Sequence, residues 1–265
     1  MIIHELHYSA TNTYLIEGDC GRLLFDTGWA GTYDAFCRAM GELRIPVQSI
    51  DYILVSHYHP DHMGIAQEIA NHGAVIAAAD VQLPYIHAAD DVFAKEDKVH
   101  FQPVDDAKIR LIHFEESRGF LKKLGICGEI LPTPGHSDDS ITLALDDGSL
   151  FVGDLNPLYE LELHEGTAIA ESWKRLLARN PRTVYYGHAK TARIDDAAPK
   201  SSPADDRFVL VAAIMKGIDK GWDIEKIRRK TGAEEDFITD VMRMYLTHQN
   251  IGVQGILDRI EIKNR

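Results

Sequence analysis

Apolar residues fall in short, closely spaced runs over most of this chain and at helical spacing near its C-terminal end. The runs "MIIHELHY" (1–8), "NTYLIEG" (12–18) and "RLLFDTG" (22–28) predict strands separated by turn residues. "TYDAFCRAMGEL" (32–43), after the glycines of "DTGWAG", predicts a helix. "DYILVS" (51–56) predicts a strand, "GIAQEIANHG" (64–73) an amphipathic helix stopped by glycine, and "AVIAAA" (74–79) a buried strand. Residues 80–125 carry one clear strand pattern, "KIRLIHF" (108–114). Three more strands are expected in "ICGEILPTPG" (126–135), "SITLALDDG" (140–148) and "SLFVGD" (149–154), with Asp147-Gly148 as a hairpin turn. "TAIAESWKRLLARNP" (167–181) is helical in period, and "RTVYYGH" (182–188) returns to strand character.

"AKTARIDDAAPKSSPADD" (189–206) has the composition of a linker. Beyond it the period is helical, with Phe208, Val211, Met215 and Ile218 on one face and Phe237, Val241 and Tyr245 on another. Strands, helix and strand occur twice over, which predicts two mixed sheets packed together with helices outside. The expected fold is an α/β (αββα) sandwich over residues 1–200 with a C-terminal helical extension over 205–265. Its apolar stripes must be buried, and the expectation is a wall or lid beside a functional site, with a homodimer contact as a further use of the same faces.

Composition narrows the function classes. The 265 residues are 45% hydrophobic and 26% charged, as in an ordinary soluble globular protein. The net charge of −13 argues against a nucleic-acid partner, because phosphate binding needs a basic footprint. Residues 205–265 hold 11 acidic and 11 basic side chains, so the preceding part carries the whole excess. Lys226, Arg228, Arg229 and Lys230 cluster in that tail; a solvated helix face is the ordinary reading and a DNA-contacting helix the alternative. Cys20, Cys37 and Cys127 are odd in number and far apart, giving neither a disulfide framework nor a thiolate metal site. The first residues lack a basic segment followed by an apolar one, and no run reaches membrane-spanning length. A cytoplasmic protein acting on a small molecule, without a membrane partner, is the expectation.

The chemistry concentrates in "SHYHPDHMG" (56–64). In extended backbone, residues i and i+2 point to one side, so His57 and His59 aim two imidazoles at one point. Pro60 holds His59 extended and turns the chain, so that Asp61 and His62 project from a new direction toward a second point. The stretch reads as half of a two-metal site. His136 in "TPGHSDDS", Asp154 in "FVGD" and His188 in "YYGH" each follow a glycine at a strand end and supply the remaining donors. Asp154 has two oxygens and is able to bridge two metals about 3.5–4 Å apart. His4, His7, His72, His87, His100, His113, His164 and His248 stand in no such pattern and are read as non-ligands.

"SHYHPDHMG", "TPGHSDDS", "FVGD" and "YYGH", in that order, resemble the metallo-β-lactamase superfamily over roughly residues 1–195. "NTYLIEG" and "RLLFDTG" look like its opening hairpin, with Asp26 near the site in a supporting role. The resemblance implies that His57, His59 and His136 hold one metal, that Asp61, His62 and His188 hold the other, and that Asp154 bridges them. Two divalent cations, zinc first and iron or manganese otherwise, would lower the pKa of a shared water and polarise the substrate oxygen. Asp61 would orient the nucleophile and shuttle a proton.

The departures from known branches narrow the reading. Asp154 stands where true zinc β-lactamases usually carry cysteine, "GDLNPLYELEL" lacks the arginine- and phenylalanine-containing loop of glyoxalase-II-like thioesterases, and Pro157 occupies the position of the lactonase tyrosine, with Tyr159 two residues later. The loop keeps all three histidines, where flavodiiron oxidoreductases replace one with glutamate. The expectation is a dinuclear metal-dependent hydrolase of a small ester, lactone, thioester or phosphoester, with iron-dependent oxygen or persulfide chemistry as the alternative.

Overall fold

The computed structural model describes residues 1–96, 98–194, 206–248 and 251–264. Six strands, β1 (Ile2–Leu6), β2 (Thr13–Glu17), β3 (Arg22–Phe25), β4 (Tyr52–Leu54), β5 (Val75–Ala79) and β6 (Ile109–Ile112), form one sheet in sequence order. The pairs β1–β2 and β2–β3 are antiparallel, and the later pairs are parallel. Helices α1 (Tyr33–Glu42), α2 (Pro60–Met63) and α3 (Ala66–Ala70) lie within the crossovers that parallel pairing demands. The second sheet runs β11 (Ala192–Arg193), β10 (Thr183–Tyr185), β9 (Ser149–Phe151), β8 (Ile141–Leu145), β7 (Gly128–Pro132). The hairpin at Asp147-Gly148 forms as expected, with Leu143 opposite Phe151 and Gly148 at φ +89°.

Burial on both faces explains why the strands read as continuous apolar runs rather than as alternation. On β3, Leu23 and Phe25 enter the core between the sheets with Ile130, Leu143 and Phe151. Leu24 points the other way, into a core shared with Phe36 and Met40 of α1 and Ile69 of α3. Across the second sheet, Leu150 and Val152 pack on Trp173 and Leu176 of α6 (Ala168–Leu177). The layers are therefore helix, sheet, sheet, helix.

The stretch that the pattern left unread, 80–125, holds β6, two short helices and 3₁₀ turns. The helices are α4 (Asp90–Phe93) and α5 (Ser117–Lys123). Their few turns give too short a window for a period to register. The segment read as linker needs correction at its start: β11 within it pairs antiparallel with β10 at Thr183↔Arg193. Two residues of strand carry no periodic signal. The boundary expected between residues 200 and 205 lies outside the described residues.

The tail folds as α7 (Asp206–Asp219), α8 (Ile224–Thr231), α9 (Glu235–Thr247) and α10 (Val253–Lys263). These helices share a core of their own, with Val211, Ile214, Ile227, Ile238, Val241 and Ile256 buried. The inward stripe of α7 is Val211 and Ile214 rather than one begun at Phe208, and that of α9 is Ile238, Val241 and Met244. Phe208 and Tyr245 are only partly buried. In both helices two faces carry apolar residues, so spacing alone does not select the buried one. Asp223 caps α8 through its Oδ1, which accepts from Lys226 N at 2.7 Å, and Gly232 ends it in the left-handed region at φ +73°. No helix among the described residues is long and apolar enough to cross a membrane.

Candidate metal centre

The seven residues expected to ligate metal converge at one edge of the sandwich. Their donor atoms form three overlapping groups, His57/His59/His136, His57/His62/Asp154 and Asp61/His62/His188, each with its atoms within 4.8 Å of one another. The local geometry follows the loop's sequence. His59 is extended (φ −72°, ψ 151°) and Pro60 opens α2, which carries Asp61 and His62 away in a second direction.

Three of the five imidazoles have a partner that fixes which nitrogen faces the site. His62 Nδ1 lies 2.8 Å from Asp26 Oδ2 and donates to it, leaving Nε2 for the centre. Ser56 Oγ donates to the same Asp26 oxygen at 2.9 Å, so it accepts from His57 Nδ1 at 3.0 Å and frees His57 Nε2. His188 Nδ1 donates to the Ala10 carbonyl at 2.9 Å. Asp26 itself is buried at φ +62°, a left-handed conformation that aspartate tolerates better than most residues. Its other oxygen takes the Ser56 backbone N–H at 2.6 Å. The supporting role expected of Asp26 is the one seen.

The carboxylate of Asp154 faces both halves of the cluster. Its Oδ1 lies 3.2 Å from His62 Nε2 and 3.5 Å from His188 Nε2, while Oδ2 lies 3.6 Å from His136 Nε2. His136 Nε2 and His59 Nδ1 face each other at 3.0 Å, and His188 Nε2 meets Asp61 Oδ2 at 2.8 Å. The glycine before His188 is needed for this closeness: a Cβ on Gly187 would sit 2.7 Å from Asp154 Oδ1 and 2.8 Å from His62 Cε1.

His57 Nε2, His62 Nε2 and Asp154 Oδ1 are buried without a hydrogen-bond partner among the described residues. Three such orphans aimed at one region are costly in a protein interior. Nitrogen and carboxylate donors of this kind fit divalent cations. The electrostatics of His57, His136, Asp154 and Asp61 agree, while His62 is drawn toward its protonated form by the carboxylates around it. Burial, reinforced by His62 and His136, holds the His57 imidazole well below the usual histidine range, and burial takes His136 down to about 4 against the pull of Asp154. Burial would raise Asp154, but His188 and His62 outweigh it and keep the carboxylate ionised. Burial likewise opposes the ionised form of Asp61, and His62 and His188 again prevail. On His62 burial acts downward, and Asp26, Asp154 and Asp61 together raise it. Neutral His57 and His136 beside ionised carboxylates are the states that coordinate a cation.

Several residues in and around the site carried no sequence signal. Asp139 Oδ2 accepts from Tyr58 N at 2.7 Å and pins the histidine loop to the loop of His136. Asn12 donates to the carbonyls of Tyr186 and Ala189 at 3.0 Å each, holding the chain on both sides of His188. Beside the cluster opens a cavity of ≈ 340 Å³, lined in part by Glu160, His164, Ile169, His248, Ile251 and Arg259. The last three come from the tail, so the wall expected of it is present. His164 and His248 belong to none of the three donor groups, yet both line this cavity. Tyr159 turns away from it and donates to Asp258 Oδ2 on α10 at 2.7 Å. Only the folded arrangement of α10 would have revealed Arg259.

A family model described as the metallo-β-lactamase superfamily matches residues 8–188. The Beta-lactamase-like protein 2 homolog of Drosophila melanogaster is 30% identical over 185 residues, covering 67% of this chain and 58% of that protein. Atrochrysone carboxyl ACP thioesterase of Emericella nidulans is 26% identical over 150 residues, covering 54% of this chain and 39% of that protein. The chain spans about half the length of the curated relatives it matches. The crystal structure of a metallo-β-lactamase family protein from Thermus thermophilus is similar in fold with a TM-score of 0.56 at 18% identity, covering 98% of this chain and 91% of that one.

Proposed function

The chain belongs to the metallo-β-lactamase superfamily, and from that premise we propose that it is a dinuclear metal-dependent hydrolase of a small ester-like substrate. Carboxylic esters, lactones, thioesters and phosphoesters are the candidate bonds. Acyl compounds come first, because one relative is named a thioesterase. The observation that carries the reading is the division of Asp154 between the two halves of the cluster, Oδ1 toward His62 and His188 and Oδ2 toward His136.

In this reading His57, His59 and His136 hold one cation, Asp61, His62 and His188 the other, and Asp154 both. When bound, the pair of cations supplies Lewis acidity and brings a water's pKa toward neutrality. The protein's own groups then do the following. Asp26 and Ser56 orient His62 and His57 so that their Nε2 lone pairs face inward. Asp61, whose side chain is 34% exposed, takes a proton from the attacking water and returns it to the departing oxygen or sulfur. Ile169, Leu155 and Ile251 make the apolar part of the cavity wall and exclude bulk water from the acyl group.

The test is metal analysis followed by chelation and rescue. We expect about two metals per chain after reconstitution. Chelation should abolish turnover of an ester, thioester, lactone and phosphodiester panel, and zinc, manganese or iron should restore it for at least one class. Stoichiometry of one or fewer after full reconstitution would count against the bridging role of Asp154. Turnover that survives chelation would rule out the hydrolytic reading.

A further inference from the structure

Arg259 on α10 brings a cation to the donor cluster from the opposite end of the chain. Its side chain is 17% exposed, and the guanidinium lies 3.6 Å from Asp154 Oδ2. That separation is longer than a hydrogen bond, and among the described residues it is the one ion pair Arg259 makes. A guanidinium carries five N–H donors in a fixed fork, and a largely buried one without acceptors is costly.

The other carboxylates nearby are engaged elsewhere. Asp258 accepts from Tyr159 Oη and from Gln254 Nε2, both at 2.7 Å. Glu261 pairs with Lys190 at 2.7 Å. Glu160, on the wall of the cavity, accepts from Gly252 N at 2.7 Å and from Asn156 Nδ2 at 3.1 Å. Tyr159–Asp258 and Gly252–Glu160 tie α10 and its N-terminus to the segment after Asp154, and Lys190–Glu261 ties it to the chain after His188, so Arg259 is held in place and not merely near the cluster. Asp154, its one partner, also faces three histidines. On the same cavity, His164 is 1% exposed with its Nε2 unpartnered.

We infer that Arg259 receives a carboxylate carried by the substrate, with His164 as a second polar contact, so that the hydrolysed molecule is an acidic ester or thioester with its charge a few bonds from the scissile carbonyl. This rests on the hydrolase reading and deepens it. The short reach follows from the 3.6 Å between Arg259 and a member of the donor cluster. A singly charged carboxylate is matched by the one guanidinium, whereas a phosphate dianion would carry a second charge facing Glu160 on the cavity wall. The planar fork of arginine matches a carboxylate in two-point contact.

The experiment uses metal-loaded full-length protein, wild type beside Arg259→Gln, Arg259→Met and Arg259→Lys. Two matched thioester pairs are compared: (acetylthio)acetate with its methyl ester, and S-methyl monothiosuccinate with its O-methyl ester. The wild type should prefer the acid of at least one pair. Arg259→Gln and Arg259→Met should lower the acid-to-ester ratio of kcat/KM by about 10- to 100-fold, mainly through KM, with partial recovery in Arg259→Lys and metal content unchanged. A wild type with no preference for the acid, or variants that slow both members of each pair equally, would overturn the proposal. The second arm is calorimetric titration with glutarate and its neutral diamide. If neither these thioesters nor any member of the ester, lactone and phosphodiester panel is hydrolysed but glutarate binding still weakens by a comparable factor in Arg259→Gln, the anion site stands and the hydrolase reading falls. Equal glutarate binding in wild type and Arg259→Gln would sink the anion site even if hydrolysis is observed.

Discussion

The two sides of the cavity are built on different principles. On one side, His57 and Asp154 follow strand ends and His62 sits on α2, all with almost wholly buried side chains, and Asp26, Ser56 and Gly187 fit against them with no slack. On the other, α10 belongs to a helical layer with its own core and touches the segment after Asp154 through a few polar bonds. A sheet edge holds donor atoms to fractions of an ångström because each strand is tied to its neighbours over its whole length. A helix docked by side-chain bonds is easier to shift and to vary. The difference teaches a division of labour: the sandwich holds the reacting groups, and the tail shapes what reaches them.

Damage to the first side should be the most severe. Asp154→Ala removes the carboxylate shared by both halves of the cluster, and should cost both metals and lower activity by several orders of magnitude. His57→Ala and His62→Ala should each empty mainly one position. Elemental analysis beside rates separates these outcomes. His72, which stacks on Tyr33 at 5.7 Å away from the cluster, is the control, and metal loss in His72→Ala equal to that in Asp154→Ala would refute the ligand assignment. His248 is unsuitable as a control because it lines the cavity.

One step out, Asp26→Asn keeps the shape but weakens the hold on His62 Nδ1 and Ser56. Metal affinity should drop about 10- to 100-fold, measured by competition with a chelator. An affinity within a factor of two of wild type would show that the histidines orient without it.

The second side should respond differently. Tyr159→Phe deletes the hydroxyl that Asp258 accepts from, and burial together with the Asp258 charge keeps that hydroxyl protonated far above neutral pH. Asp258, 3% exposed, would keep Gln254 as its remaining side-chain partner. We expect a stability loss of about 1–3 kcal/mol by denaturant unfolding. KM should rise while metal content stays at the wild-type level. Loss of metal in Tyr159→Phe would break the comparison, because the tail would then be holding the cluster together.

The smallest effect belongs to the sandwich far from either side. Glu17 on β2 accepts from His4 Nε2 at 2.7 Å and from Arg22 Nε at 2.6 Å, and these bonds hold its carboxyl below the usual value of 4.5. A depressed carboxylate contributes stability that is present above 4.5 and is lost as the pH falls through the folded-state value. Glu17→Gln should therefore cost less than about 1 kcal/mol at pH 7, given its partial exposure, and the gap from wild type should close under acid. Its kinetics and metal content should not move. A gap that widened below pH 4.5 would reverse the assigned sign.

The sequence by itself determined the parts that depend on local spacing. HxHxDH after an apolar run dictates its own geometry, because alternation along extended backbone and one proline-led turn are near-neighbour effects. The glycines before His136, Asp154 and His188 announced room beside the ligands, and the apolar runs announced strands, with 74–79 as a buried one. The short helices in 80–125, the two-residue β11 and the choice of buried face on α7 and α9 were not legible, since brief elements and two-sided helices carry little periodic information. Tertiary structure alone decided that Asp154 offers its two oxygens to different histidines, and that Asp139 and Asn12 brace the loops. It also decided that Tyr159 reaches Asp258 across 99 positions and carries Arg259 to the cluster. Contacts over such separations are set by how whole layers pack, and an isolated arginine on a helix has no sequence pattern that says which face will meet a cavity.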